Sequence, residues 1–468
     1  MKHYKIDKTH ILWLVLLLLS LTACEDYLEV DLPDNRINNE QVFNNKQSAQ
    51  SAIQGIYNQL ANAFFAAGGT NSVTVLAGLS ADHLQTTVSS LNHEQFERNE
   101  IGIQNSYNHD LWTSAYQIIY QCNAAMEGLH TSTLALEDME VMLGEVRFIR
   151  AFTYFYLVNM YGEIPLVLST DYRINAKIPR STVANVYAQI INDLQSAQEA
   201  LQGTNLHDPL RANEFTVKAL LARVYLYQNN WSEAETLSTQ VIQNGGYQLE
   251  EDLNHVFLST SQEGIWQISP LQTGSGALHT REANFFIIEE QVSSLTPVCL
   301  SPQLVELFNP TDERKQKWVG SFTGTEDTFY YPYKYKVKYS TTGDATEYSM
   351  LLRLAEQYLI RAEARAKRAD VNGAVADLDQ IRTRAGLTSI ASLNPSITPQ
   401  ALTDSIAKER RRELFTEWGH RWLDLKRWGT ADEVLAPQKT LWEAADQLYP
   451  IPEQELINNP NLTQNPGY

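Results

Sequence analysis

Cysteine 24 is the residue of this chain best placed for covalent chemistry. It follows Leu21-Thr22-Ala23, and small residues before a cysteine let a signal peptidase reach the bond, while the thiol accepts a diacylglycerol as a thioether. Upstream, Lys2, Lys5 and Lys8 give a positive start, and Ile11 to Leu19 is an unbroken apolar run. A run of that length is short of the about 20 residues a membrane span needs and suits a signal segment. The pattern predicts a lipoprotein signal over 1–23, lipidation at Cys24 and a tether over 24–44. Only Cys122 and Cys299 remain, and neither stands in a C-x-x-C or zinc-type spacing, so neither a redox nor a metal role is expected. Cys122 lies in a helical stretch and reads as a small buried apolar residue. No H-E-x-x-H, G-x-S-x-G or phosphate-loop pattern occurs. A glycosidase needs two carboxylates held roughly 5–10 Å apart across a cleft, which spacing in sequence cannot reveal.

The remaining chain must supply a scaffold. Residues 45–468 read as one domain, with a formal charge of −19 for the whole sequence. An acidic surface disfavours nucleic acid and other polyanions and is neutral towards uncharged sugars. An internal repeat appears when Ala219–Val241 is laid on Leu359–Ile381: Ala222 falls on Ala362, Ala234 on Ala374 and Val241 on Ile381. Small residues twelve apart with an apolar residue seven further on have the spacing of tetratricopeptide (TPR) helix pairs, because antiparallel helices approach closely only over small side chains. Polar turns, Asn229-Asn230 and Ala369-Asp370, divide the two copies.

Helical periods mark Gln47–Phe64, Trp112–Leu129, Val146–Tyr161, Thr182–Leu201, Ile406–Trp418 and Trp422–Trp428, with Gly419 as a cap between the last two. The expected fold is mainly α: TPR-like helix pairs form a right-handed superhelical scaffold over 45–247 and 348–468. Residues 248–347 read as a loop-rich insertion, with scattered Gly, Ser, Thr and Pro and short alternating runs. The linker from Ala66 to Tyr107 looks similar, and long irregular segments on a rigid scaffold are where binding loops sit.

The C-terminal sixty residues hold Glu409-Arg-Arg-Arg-Glu413-Leu-Phe-Thr-Glu-Trp-Gly419-His-Arg-Trp-Leu-Asp424-Leu-Lys-Arg-Trp428-Gly, then Leu448-Tyr-Pro-Ile-Pro452. This closing signature resembles that of the SusD/RagB family. Further blocks resemble it in order: Tyr27–Val30 with Asn44–Tyr57, Arg147–Leu166, Leu304–Phe308 with Asp312–Arg314, and Arg353–Ala364. The resemblance implies a surface lipoprotein that binds oligosaccharides and delivers them to a SusC-like TonB-dependent transporter in the outer membrane. It implies neither catalysis nor a cofactor. The alternative it leaves open is a peptide ligand; a TPR scaffold for outer-membrane assembly is a further one.

Within the signature, Arg421, Asp424 and Arg427 read as salt bridges that lock the terminal helices. The run Lys408–Arg412 reads as a solvated, internally paired helix face. By family analogy the ligand sits between the Ala66–Tyr107 linker and the insertion. The candidates are Phe65, Asp82 and His83, then Trp266, Phe285, Phe286, Trp318 and Tyr330, aromatics for sugar C–H faces and polar groups for hydroxyls. Tyr331, Tyr333 and Tyr335 alternate as packing residues on a strand.

Overall fold

Asparagine and aspartate set where the repeat helices begin. Asn213 accepts from the Phe215 and Thr216 amides, Asn230 from Glu233 and Asp370 from Gly373, each satisfying orphan donors at a helix start. The computed structural model describes residues 42–204, 208–270, 279–325, 327–340 and 344–468. The signal, Cys24 and the tether as far as residue 41, with the block at Tyr27–Val30, lie outside the described residues.

The chain is mainly helical. The helices used below are α1 (Lys46–Asn62), α2 (Val73–Ser80), α3 (Leu91–Arg98), α4 (Ser106–His130) and α5 (Leu136–Tyr161). They continue with α6 (Val183–Ala200), α7 (Glu214–Tyr227), α8 (Trp231–Asn244), α9 (Arg281–Phe286), α10 (Leu354–Lys367), α11 (Val371–Arg384), α12 (Pro399–Glu413) and α13 (His420–Arg427). From α4 to α8 each helix packs on the next, and α8 then packs directly on α10, so the helical stack runs on across the insertion. Ala222, Ala234, Val241, Ala362, Ala374 and Ile381 are all fully buried, as close helix crossing requires. Asn229 and Ala369 occupy equivalent turns and both have positive φ, 57° and 65°.

Strands fasten the insertion to the stack. β2 (Gly264–Ile268) pairs antiparallel with β6 (Ser349–Arg353), so the chain leaves the helices and returns beside its own exit. β1 (Leu84–Thr86) pairs antiparallel with β3 (Val298–Leu300), Gln85 opposite Cys299, which staples the linker to the insertion. β4 (Val319–Thr323) and β5 (Thr328–Pro332) form a hairpin. The linker is more ordered than its irregular sequence predicts, since it contains α2 and α3. Every residue of α2 is buried, so the helix lacks the polar–apolar period that reveals a surface helix.

The C-terminal signature is architecture. Arg314 bonds Asp312 at 2.8 Å, Glu409 at 2.6 Å and Glu413 at 2.8 Å. Arg353 bonds Glu413 and Glu417, both at 2.7 Å, and Arg384 joins Glu263 and Glu413. Burial pushes the Glu413 carboxyl up, but the charges of Arg384, Arg353 and Arg314 outweigh it and hold the group well below its usual range. Arg427 pairs with Glu363 and Asp424, and Arg421 with Asp82. The solvated face expected over Lys408–Arg412 is not what forms. Glu409 and Arg410 are buried, Arg410 on Asp424 at 2.7 Å, and Arg411 reaches Asp82 at 2.8 Å. Gly419 has a φ of +68°; a Cβ there would lie 2.7 Å from the Ala77 side chain, so glycine lets α13 start hard against α2. Downstream, the Asn465 amide ties the tail to the carbonyls of Tyr161 and Tyr449. Cys122 and Cys299 are free and buried, and burial lifts their thiols to about 12 and about 11, which leaves them inert.

Candidate functional site

Where the chain leaves α1 it makes two phenylalanines in succession, which point to opposite environments. Phe65 is buried, its amide held by the Ser114 hydroxyl at 3.2 Å, whereas Phe64 is 45% exposed. Phe64 stands at the lip of a cleft of about 840 Å³. One wall is the segment from Phe64 to Asn71; the other comprises α9, the 289–296 loop and Lys338.

The walls are braced from behind by buried groups. His93 on α3 lies under Thr70, with Nε2 2.8 Å from the Thr70 carbonyl and Nδ1 2.9 Å from the Ser90 hydroxyl. A carbonyl only accepts, so Nε2 carries the proton and Nδ1 accepts from Ser90. Burial lowers the His93 pKa, and the ring sits 6.0 Å from that of Phe285. Asn71 donates to Asp110 at 2.8 Å, Arg281 to Asn62 at 3.0 Å and Asn284 to the Lys338 carbonyl at 3.3 Å.

Below the first wall, Glu282 fills the space under Gly68. That glycine has a φ of +75°, and a Cβ on it would fall 2.2 Å from the Glu282 carboxyl carbon. The Ser349 hydroxyl donates to Glu282, whose other oxygen has no hydrogen-bond partner among the described residues. Burial pushes this carboxyl up to about 7 against the opposing Ser349 bond. The carboxyl thus touches the linker, the insertion and β6 at one point.

The residues expected to contact ligand scatter. Phe285 lines the cleft, mostly buried, while Phe286 behind it is a core residue. Trp266 is 0% exposed, edge-on to Phe148 and Phe152, and Trp318 is 0% exposed with its indole N–H on the Leu253 carbonyl at 2.9 Å. Trp266 lies on β2, where all five residues are buried, and Trp318 ends a short helix, Glu313–Trp318, just before β4. Asp82 is a structural anion. Burial raises its pKa, but the bonds and charges of Arg421 and Arg411 prevail and hold it far below the usual range. His83 is buried, and burial drives its pKa well down. Tyr330 is 39% exposed on β5 and does not line the cleft. Tyr331 and Tyr335 are buried and Tyr333 half-buried, consistent with packing. However, β5 ends at Pro332, and Pro332 and Lys334 between them are buried too, so the three do not alternate on one strand face.

Phe64, Thr70, Asn71, Asn284 and the 289–296 loop were missed. The Phe64-Phe65 pair offered a signal, but which ring faces out depends on where α1 ends. The carboxylates lining the cleft, Glu289 and Glu290, are successive residues of one loop, and among the described residues the lining holds no carboxylate opposite them. No helix among the described residues is long and apolar enough to cross a membrane.

The chain and its fold match known proteins. A family model described as "Starch-binding associating with outer membrane" matches residues 26–226, and a second, described as "SusD family", matches residues 319–468. "SusD-like protein P2" of Formosa agariphila is 27% identical over 523 residues, covering 100% of both chains. "Starch-binding protein SusD" of Bacteroides thetaiotaomicron is 35% identical over 130 residues, 25% of this chain and 21% of that one. A SusD superfamily structure from Bacteroides vulgatus superposes with a TM-score of 0.80 at 22% identity, covering 91% of this chain and 100% of that one. A "Laminarin binding SusD-like protein" gives 0.76 at 24%, with the same coverage. The chain belongs to the SusD/RagB family.

Proposed function

We propose that the protein is a surface lipoprotein, anchored through Cys24, that takes up an oligosaccharide in the Phe64–Lys338 cleft. It then hands the sugar, uncleaved, to a SusC-like TonB-dependent transporter. In this reading residues 45–247 and 348–468 form the helical scaffold and 248–347 the loop-rich insertion, and the protein hinges over the barrel mouth, trapping the sugar between its loops and the channel.

The observation that carries the reading is the cleft itself, in a chain of this family. It lies between the two segments outside the helical stack and combines an exposed aromatic with amides and hydroxyls. Sugars stack their C–H faces on aromatic rings and give their hydroxyls to such groups. The starch- and laminarin-binding names of similar proteins support a glycan. The placement of Glu289 and Glu290 on one loop supports binding without hydrolysis, because both hydrolytic geometries need carboxylates on two sides of the bond.

Affinity purification of the full chain from native membranes, followed by calorimetric titration with oligosaccharides and a peptide digest, tests the proposal. Recovery of a TonB-dependent barrel and heat from a glycan that is recovered intact is the expected result. Heat from peptides alone would move the protein to peptide uptake, and release of shortened glycan would make it an enzyme.

A further inference from the structure

Resting on the glycan-binding reading, we propose that the cleft selects an uncharged oligosaccharide and rejects uronic and sulfated chains. The formal charges of its lining cancel: Arg281 and Lys338 stand against Glu289 and Glu290. The Lys338 ammonium lies 3.4 Å from a Glu289 carboxylate oxygen. Arg281 and Glu290 make no ion pair among the described residues, and their charges cancel in the sum over the lining. The Arg281 guanidinium is also drawn back by its bond to Asn62 at 3.0 Å.

A polyanionic glycan presents a charge on nearly every sugar. Proteins that bind such chains need uncompensated cations along the groove, preferably guanidinium groups free to bond an anion with two parallel N–H groups. Here the entering anion would meet a neutral lining, the unpaired Glu290 and the Asp110 carboxyl one hydrogen bond behind Asn71. The field of the whole chain, at −19, opposes it further.

A neutral sugar hydroxyl is at once donor and acceptor. So are the amides and hydroxyls that make up most of the rest of the lining, among them Thr70, Asn71, Asn284 and Gln291. Phe64 and Leu295, 45% and 79% exposed and on different walls, supply apolar contact without adding charge. The chemistry of the lining therefore fits a ligand recognised by hydroxyl pattern and ring faces.

The test is titration of the detergent-solubilised full chain with neutral glycans (maltooligosaccharides, laminarin oligosaccharides), charged ones (oligogalacturonate, sulfated carrageenan oligosaccharides) and a peptide digest. A neutral glycan should bind, with an affinity that changes less than about twofold between about 50 and about 500 mM NaCl. The charged chains should bind at least about tenfold more weakly, a difference of one decade. The double variant Glu289→Lys, Glu290→Lys should gain oligogalacturonate binding that fades steeply with salt. Tighter binding of a charged chain by the native protein, or no gain in the variant, overturns the selectivity while leaving glycan capture standing. Heat from peptides and from no glycan overturns both.

Discussion

The C-terminal lock and the cleft use charge in opposite ways. Arg314, Arg353 and the carboxylates around them are buried, Arg384 partly so, and each of the three arginines finds two or more carboxylates. In the cleft the ionic groups are few, two of each sign, and most of the lining is uncharged. A buried ion needs several fixed partners to offset its desolvation, so the lock tolerates little change in residue type. A polar solvent-facing wall makes no such demand. The contrast explains why the lock forms a readable motif and the cleft forms none.

Breaking the lock should have the largest effect. Arg353→Met strands Glu413 and Glu417 without their shared guanidinium, and Arg314→Met does the same to Asp312 and Glu409. Each should lower unfolding free energy by about 3–5 kcal/mol in urea melts, and a loss under about 1 kcal/mol would show that the network is not cooperative.

Glu282 is the point where the cleft borrows the burial of the lock without its cations, and pH exposes the difference. Its folded pKa of about 7 exceeds the ordinary 4.5, so the native state keeps a proton that the unfolded chain has already lost. The contribution is full below pH 4.5 and is lost as pH rises through 7. The shift corresponds to about 3 kcal/mol at most. Melting temperature should fall across that window in the native protein, and Glu282→Gln should flatten the fall; parallel curves for the two would remove Glu282 as its source.

Between these extremes lies the helix stack. Ala362→Leu forces a larger side chain into a fully buried crossing and should cost about 1–3 kcal/mol, read by denaturant midpoint. Phe64→Ala, at the exposed lip, should change stability by less than about 0.5 kcal/mol. A larger loss would make Phe64 part of the core instead of the ligand surface.

Much of the fold was legible because it rests on periodicity and small-residue spacing. Ala222, Ala234, Ala362 and Ala374 announce the helix crossings, and Asn229 and Ala369 mark the turns with a backbone conformation that two repeats share. Arg421, Asp424 and Arg427 were readable as locking ion pairs for the same reason that made them motif-like. The run Lys408–Arg412 misled because a string of cations reads as solvated until the carboxylates that meet it, Asp82 and Asp424, are brought in from elsewhere. The same blindness to tertiary partners placed Trp266 and Trp318 in the site. Aromatic content in a loop-rich stretch does not reveal that the strand carrying Trp266 is buried throughout or that Trp318 ends a helix packed on the core. Phe64 and Phe65 are neighbours in sequence, yet one is exposed at the cleft and the other is buried.

Calorimetry with a neutral glycan, comparing Phe64→Ala with Tyr120→Ala, tests the central claim most directly. Tyr120 is an exposed aromatic on α4 away from the cleft. Capture in the cleft predicts that Phe64→Ala weakens binding roughly tenfold, about 1.4 kcal/mol, while Tyr120→Ala leaves it unchanged. The reverse result would place the ligand on the α4 surface and contradict the account.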